Sequence, residues 1–329
     1  MADVLITSRS FGEFVRTGLD ILSDAELTVY RPGPEERPVT EARLLELVDG
    51  HNPRAIIVGS DPITSAVLAS AKRLRLVMKH GVGVDNIDID AATDAGVLVA
   101  NAPDTNTHAV ADLTIGMILV LLRGIVGSAV SARSGGWGRV VGNELGARTV
   151  GVVGAGKIGS EVIRRLVPFG PEILAYDVVQ DESLVASCGV VYVSLEELLE
   201  KSDVITLHVP LLPQTHRLIG RRQLESLKED VKLVNIARGA LIDEQALEEF
   251  LRAHPKAAAA LDVFATEPPQ ESSLLGLENV VPTTHIGGYT YEAMERMDRV
   301  CAETAVAVLS GESPPNVLSP PDRGRPSSA

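Results

Sequence analysis

Gly154, Gly156 and Gly159 stand in the run Gly154-Ala155-Gly156-Lys157-Ile158-Gly159, directly after the apolar stretch Thr149-Val150-Gly151-Val152-Val153. Each glycine answers a different steric demand of dinucleotide binding. Gly154 permits a tight turn out of a strand, Gly156 lets the backbone approach a pyrophosphate, and Gly159 lets the next helix lie close to the strand. The phosphates would then rest on the helix N-terminus around Lys157 and Ile158, where N–H groups and the dipole favour negative charge. Eighteen positions after Gly159 a second apolar run, Ile173-Leu174-Ala175-Tyr176, ends in Asp177. A carboxylate there accepts hydrogen bonds from a ribose diol and repels a 2′-phosphate, so the expected cofactor is NAD(H) rather than NADP(H).

Such a turn needs a parallel sheet to hold it. In 329 residues, 45% of them hydrophobic, two domains are expected. Strand-like runs at Val4–Thr7, Ala55–Val58, Leu76–Lys79 and Val97–Val99 precede the glycine turn. Further runs follow at Val150–Val153, Ile173–Tyr176, Val204–Leu207, Leu233–Asn235 and Ala258–Leu261. Helical patterns between them predict α/β architecture with two doubly wound parallel sheets. Because the dinucleotide motif sits in mid-chain, the cofactor domain is expected as an insertion, a Rossmann unit over 102–285. Residues 1–101 and 286–312 would form a discontinuous, flavodoxin-like substrate domain, with 313–329 a mobile tail. A long helix is expected from about Asn106 to Ser131, ended by Ser134-Gly135-Gly136. The formal net charge of −14 argues against nucleic acid and anionic membranes as partners, while leaving room for a local basic pocket. Cys188 and Cys301 build neither a metal site nor a disulfide framework. The apolar stretch Leu113–Leu122 is too short to span a bilayer, and the first residues lack the layout of a signal peptide, so a cytoplasmic protein is expected.

Three more segments place polar side chains just after strands: Asn235-Ile236-Ala237-Arg238-Gly239, Leu261-Asp262-Val263-Phe264-Ala265-Thr266-Glu267-Pro268 and Thr284-His285-Ile286-Gly287-Gly288. Alone, such an arginine is commonly a surface ion partner, and such a glutamate or histidine a loop residue. In this order, with the glycine turn, the chain resembles the D-isomer-specific 2-hydroxyacid dehydrogenases over residues 1–312. The resemblance implies that Arg238 binds the substrate carboxylate and 2-keto oxygen, that His285 is the acid/base, and that Glu267 orients and charges it. Chemistry agrees. Reducing a 2-keto acid needs a hydride at C2 and a proton on its oxygen; histidine holds a proton near neutral pH, a neighbouring carboxylate stabilises the imidazolium, and a guanidinium fork matches a carboxylate. The resemblance also implies that Asp262 lies near the nicotinamide carboxamide, and that His208, Val209 and Pro210 line the adenosine and pyrophosphate. Thr107, Ala237 and Gly288 complete the expected cofactor contacts.

Lys79-His80-Gly81-Val82-Gly83 resembles the loop that binds the substrate carboxylate through backbone N–H groups, here those of Val82 and Gly83. Positive charge at Lys79 and His80 would suit a second anionic group on the substrate. This is similar to the phosphoglycerate dehydrogenase branch, although Gly59-Ser60-Asp61-Pro62 stands where some of that branch carry an arginine, and a form without that branch's regulatory domain is expected. The expected substrate is a small anionic 2-keto or 2-hydroxy acid. Candidates are 3-phosphoglycerate with 3-phosphohydroxypyruvate, a phosphonate analogue such as phosphonopyruvate, glyoxylate, or hydroxypyruvate. The alternative is a non-catalytic, NADH-sensing protein like the corepressors that share this fold. The resemblance implies a homodimer with the helix after residue 101 in its interface, and the apolar excess over Ile115–Leu122 agrees.

Overall fold

A computed structural model describes residues 1–318 apart from Pro38. It divides into two compact units, Met1–Asn106 with the chain from Gly288 onward, and Thr107–Gly287. Residues 102–106 therefore lie with the first unit, and 286–287 with the second, which differs from the expected division at 101/102 and 285/286.

The first unit is a five-stranded sheet of β1 (Val4–Ile6), β2 (Val29–Tyr30), β3 (Ala55–Val58), β4 (Leu76–Lys79) and β5 (Leu98–Ala100). The strands are parallel in the order β2-β1-β3-β4-β5, the flavodoxin-like arrangement. Alternate residues serve opposite faces. Val4, Ile6, Ile57 and Met78 pack with Met294, Met297, Cys301 and Ala305 of the helix Tyr291–Ser310. Leu5, Ile56, Val58 and Val77 pack with Leu44, Leu47 and Val48 of the helix Glu41–His51. Burial on both faces is why these strands read as unbroken apolar runs. The segment expected to be mobile from residue 313 begins by lining the sheet: Val317 forms an antiparallel bridge with Ala100, and the Leu318 N–H donates to Val99 O at 2.7 Å. The remainder of that tail, 319–329, falls outside the described residues.

The second unit holds β6 (Thr149–Val153), β7 (Glu172–Tyr176), β8 (Val191–Tyr192), β9 (Val204–Leu207), β10 (Lys232–Asn235), β11 (Ala258–Leu261) and β12 (Val280–Pro282). Its order is β12-β11-β10-β9-β6-β7-β8, all parallel. Counted from β6 this is the 3-2-1-4-5-6 Rossmann order with one added strand, and its switch point lies between β6 and β9. Instead of one helix over 106–131, two occur, Thr107–Arg123 and Ile125–Arg133, bent by 66° where Gly124 adopts a left-handed φ of 57°. The first buries Val110, Ala111, Met117, Ile118, Leu121 and Leu122; the second buries nothing. No single helix among the described residues is long and apolar enough to cross a membrane.

Candidate active site

The chain leaves β6 through Gly154, whose φ of +94° is a conformation L side chains rarely adopt. A Cβ there would meet the His208 carbonyl carbon at 2.8 Å, so the turn lies directly against the end of β9. The helix Lys157–Leu166 starts at Gly156 with no side-chain cap, whereas Thr40, Asp88 and Asp243 cap other helices with their side-chain oxygens. Gly156 and Lys157 are exposed, Ile158 is half-buried, and Gly159 packs back onto Gly154 O. Asp177, just beyond β7, accepts the Ala155 N–H at 2.7 Å through Oδ2 and the Val179 N–H at 3.1 Å through Oδ1. Its carboxylate is thereby held at the edge of the glycine turn. His208 Nε2 lies 2.9 Å from Thr206 Oγ1, and burial pushes the imidazole down to about 3, so it is neutral. Val209 contacts the Gly154 turn and Pro210 is exposed beyond it. An uncapped helix start, a glycine turn and a carboxylate at the next strand end fit a dinucleotide.

On the other side of this sheet's switch point, the loops after β10, β11 and β12 come together. His285 Nδ1 lies 2.7 Å from Glu267 Oε2, and Glu267 Oε1 accepts the Phe264 N–H at 3.1 Å. Burial pushes the Glu267 carboxyl up; the His285 hydrogen bond and charge, the Phe264 N–H and the charge of Arg238 outweigh it and hold the group below its ordinary value. Arg238 therefore acts on the same carboxylate. Its loop is seated by Gly239, where a Cβ would overlap the Phe264 carbonyl carbon, so no side chain fits between the two loops. Asn235 braces the turn, its Nδ2 donating to Arg238 O at 2.8 Å and its Oδ1 accepting the Ala237 N–H at 3.1 Å.

Asp262 is 1% exposed and lies beneath the His285 loop. Its Oδ1 accepts from Thr283 Oγ1 at 2.6 Å and the Ile286 N–H at 2.8 Å, and its Oδ2 accepts the Gly287 N–H at 2.8 Å. These bonds bracket His285, which has a φ of 56°. The resemblance implies a place for Asp262 near the nicotinamide; the bonds the structure gives it fix this loop. Asn235 and Thr283 are additions to the expected set, although an Asn at a strand end two residues before an Ala-Arg-Gly turn is a recognisable brace. Thr107 opens its helix half-buried.

The remaining expected residues belong to the first unit. Gly288 lies against Asn106. Lys79 Nζ donates to Gly59 O at 2.5 Å and Asn86 Oδ1 at 2.6 Å. Val82 is exposed and Gly83 half-buried, and among the described residues no acceptor engages either N–H. His80 differs from expectation. Its side chain is 1% exposed, with Nε2 2.7 Å from Asp298 Oδ1 and Nδ1 3.0 and 3.1 Å from the hydroxyls of Ser8 and Ser10. The imidazole is turned inward because it finds three buried partners there, and the His80 backbone N–H donates to Val58 O at 2.8 Å.

Residues 115–287 match the model of the D-isomer specific 2-hydroxyacid dehydrogenase NAD binding domain. The chain is 42% identical over 287 residues to the D-3-phosphoglycerate dehydrogenase of Methanocaldococcus jannaschii, covering 86% of this chain and 55% of that one. It is 38% identical over 292 residues to the glyoxylate reductase of Korarchaeum cryptofilum, covering 87% and 88%. The chain thus spans about half the length of the D-3-phosphoglycerate dehydrogenases it matches. Among solved structures, the TT0316 protein of Thermus thermophilus superposes with a TM-score of 0.84 at 37% identity, covering 96% of this chain and 99% of that one. A D-lactate dehydrogenase from Aquifex aeolicus, complexed with NAD and lactic acid, gives 0.83 at 29%, covering 94% and 96%. With two parallel-sheet units, a dinucleotide turn, and the arginine, glutamate and histidine on successive strand ends, the chain belongs to the D-isomer specific 2-hydroxyacid dehydrogenase family.

Proposed function

We propose that the chain is an NAD(H)-dependent oxidoreductase interconverting a small 2-keto acid and its 2-hydroxy acid. The observation that carries this is the 2.7 Å pair of His285 Nδ1 with Glu267, in a unit that also holds the glycine turn and Arg238. With Nδ1 committed to the carboxylate, Nε2 is the ring atom left to work, and among the described residues nothing bonds to it. Nε2–H gives its proton to the keto oxygen in reduction and takes it back from the hydroxyl in oxidation. Glu267 stabilises the imidazolium before transfer, and Arg238 presents a fork to the substrate carboxylate and its 2-oxygen. NADH, when bound, supplies the hydride to C2, and NAD⁺ accepts it in the reverse direction. Asp177 sets the preference for NAD(H) over NADP(H), and Gly154, Gly156, Lys157, Ile158, Gly159, His208, Val209, Pro210, Ala237, Asp262, Thr107 and Gly288 are the proposed cofactor contacts.

Glyoxylate, hydroxypyruvate, 3-phosphohydroxypyruvate and phosphonopyruvate are the substrates to compare. The names of the relatives favour the first and third, and unengaged N–H groups at Val82 and Gly83 support an anion at that loop. Two free thiols, Cys188 and Cys301, suit the reducing cytoplasm. We place the protein there as a homodimer. The test is NADH oxidation with the four keto acids, alongside NADH binding by fluorescence. Oxidation with at least one acid is expected; silence with all four while NADH binds would overturn the enzymatic assignment and leave an NADH-sensing protein.

A further inference from the structure

In the five-stranded sheet the strand order reverses between β1 and β3, and in doubly wound sheets the ligand crevice opens at such a point, at the carboxyl ends of the strands. The residue after β3 is Gly59. A Cβ there would lie 3.4 Å from Ser8 Cα, so the loop leaving β1 runs directly alongside it. Cations gather around this loop from neighbouring strands, in a chain whose net charge is −14. Arg31 follows β2 and its Nη2 donates to Arg9 O at 3.3 Å. Arg37 Nη1 donates to Ser8 O at 3.3 Å and Arg9 O at 3.1 Å. Lys79, closing β4, reaches Gly59 O at 2.5 Å. Burial first, then the charge of Arg31 with that of Arg9 behind it, holds the Arg37 guanidinium below its ordinary value, although Glu13 and Glu35 oppose this.

Much of the opposing charge is already committed. Glu13 pairs with Arg31 at 2.8 Å and lies 3.8 Å from Arg37. Asp61, in the loop after β3, is 3% exposed and turns Oδ1 to the Val39 N–H at 2.7 Å. Arg9 is different. It is exposed, and among the described residues no carboxylate pairs with it. The residues on both sides of it are pinned, since His80 Nδ1 bonds the hydroxyls of Ser8 and Ser10 while its Nε2 bonds Asp298, which also accepts the Gly12 N–H at 2.8 Å.

We propose that the carboxyl edge of the five-stranded sheet holds an oxyanion subsite in which Arg9 is the specificity-determining contact and His80 the positioning residue that fixes its loop. A guanidinium fork matches two oxygens of a phosphate, phosphonate or carboxylate. That anion is either the acidic group of the substrate remote from its 2-keto acid, which rests on the function proposed above, or free phosphate.

Two measurements on the full chain separate these. The first compares kcat/KM for 3-phosphohydroxypyruvate and for glyoxylate in wild type, Arg9→Ala and Arg9→Lys. The expected result is a fall of about tenfold or more in the phosphorylated-to-glyoxylate ratio for Arg9→Ala, from loss of one charge-assisted contact, with Arg9→Lys intermediate. A ratio unchanged in Arg9→Ala overturns a substrate role. The second measures the rise in melting temperature on adding inorganic phosphate at constant ionic strength. A rise that Arg9→Ala abolishes establishes the subsite even if neither keto acid is reduced, in which case only the proposed function fails. No rise in wild type together with an unchanged ratio overturns the subsite altogether. His80→Asn, if it folds, should shift the substrate ratio in the same direction as Arg9→Ala, because a merely structural role would lower both substrates alike.

Discussion

Glu267 meets opposing influences. Burial disfavours its charge, and the His285 hydrogen bond and charge, the Phe264 N–H and the Arg238 charge favour it more, so the carboxyl titrates below its ordinary value of 4.5. A depressed carboxyl contributes stability that is fully present above the unfolded value and is lost as pH falls through the folded one. Wild type should therefore lose stability relative to Glu267→Gln as pH falls below about 4.5. Melting temperature against pH checks this, and a difference that does not change between about pH 5 and about pH 3 would refute it. At neutral pH, Glu267→Gln replaces a charge-assisted bond by a neutral one and should lower kcat about tenfold. His285→Ala removes the proposed proton carrier and should lower kcat by about 10²–10⁴ with NADH affinity near that of wild type. Full turnover in His285→Ala would remove His285 from the mechanism.

The loops that carry these residues depend on contacts too close for side chains. Gly239→Ala would drive a methyl into the Phe264 carbonyl carbon, a backbone atom that cannot swing aside. A cost of about 1–3 kcal/mol is expected, typical of overpacking, together with a loss of turnover larger than that of NADH binding, since the displaced loop carries Arg238. Calorimetry and steady-state kinetics test the pair; a variant as stable and active as wild type would show that the loops do not meet as described. Much of this is legible in sequence. Fully buried strands such as Val204–Leu207 announce themselves as short aliphatic runs, and the glycine turn by its spacing. The strands at Val29–Tyr30, Val191–Tyr192 and Val280–Pro282 are not, because two or three residues at or beside a sheet edge carry no periodic signal. The break at Gly124 is hidden for a related reason: apolar residues continue on both sides of it, and a single glycine in a helical pattern is often tolerated. The inward turn of His80 depends on Asp298, which lies 218 positions away, and no local pattern reports such a partner.

At the scale of the whole molecule, the unpaired feature is apolar. The helix Ile125–Arg133 buries none of its residues, yet Ile125, Val126 and Val130 are aliphatic, and Trp137, Val140 and Val141 follow in the next segment, all of them exposed. Trp137 at 89% and Val141 at 96% exposure belong to neither core. A run of large apolar side chains over one short stretch is unusual for a free surface and characteristic of an interface. The occupant proposed is a second copy of the same chain, since a twofold interface lets one patch cover itself. Sedimentation should give a particle of twice 34.9 kDa. Val130→Glu combined with Val126→Glu places four like charges across a twofold contact, and should shift the particle to monomer at micromolar concentration while far-UV circular dichroism is retained. A wild-type monomer, or a double variant that still sediments as the dimer, would assign this patch to something other than self-association.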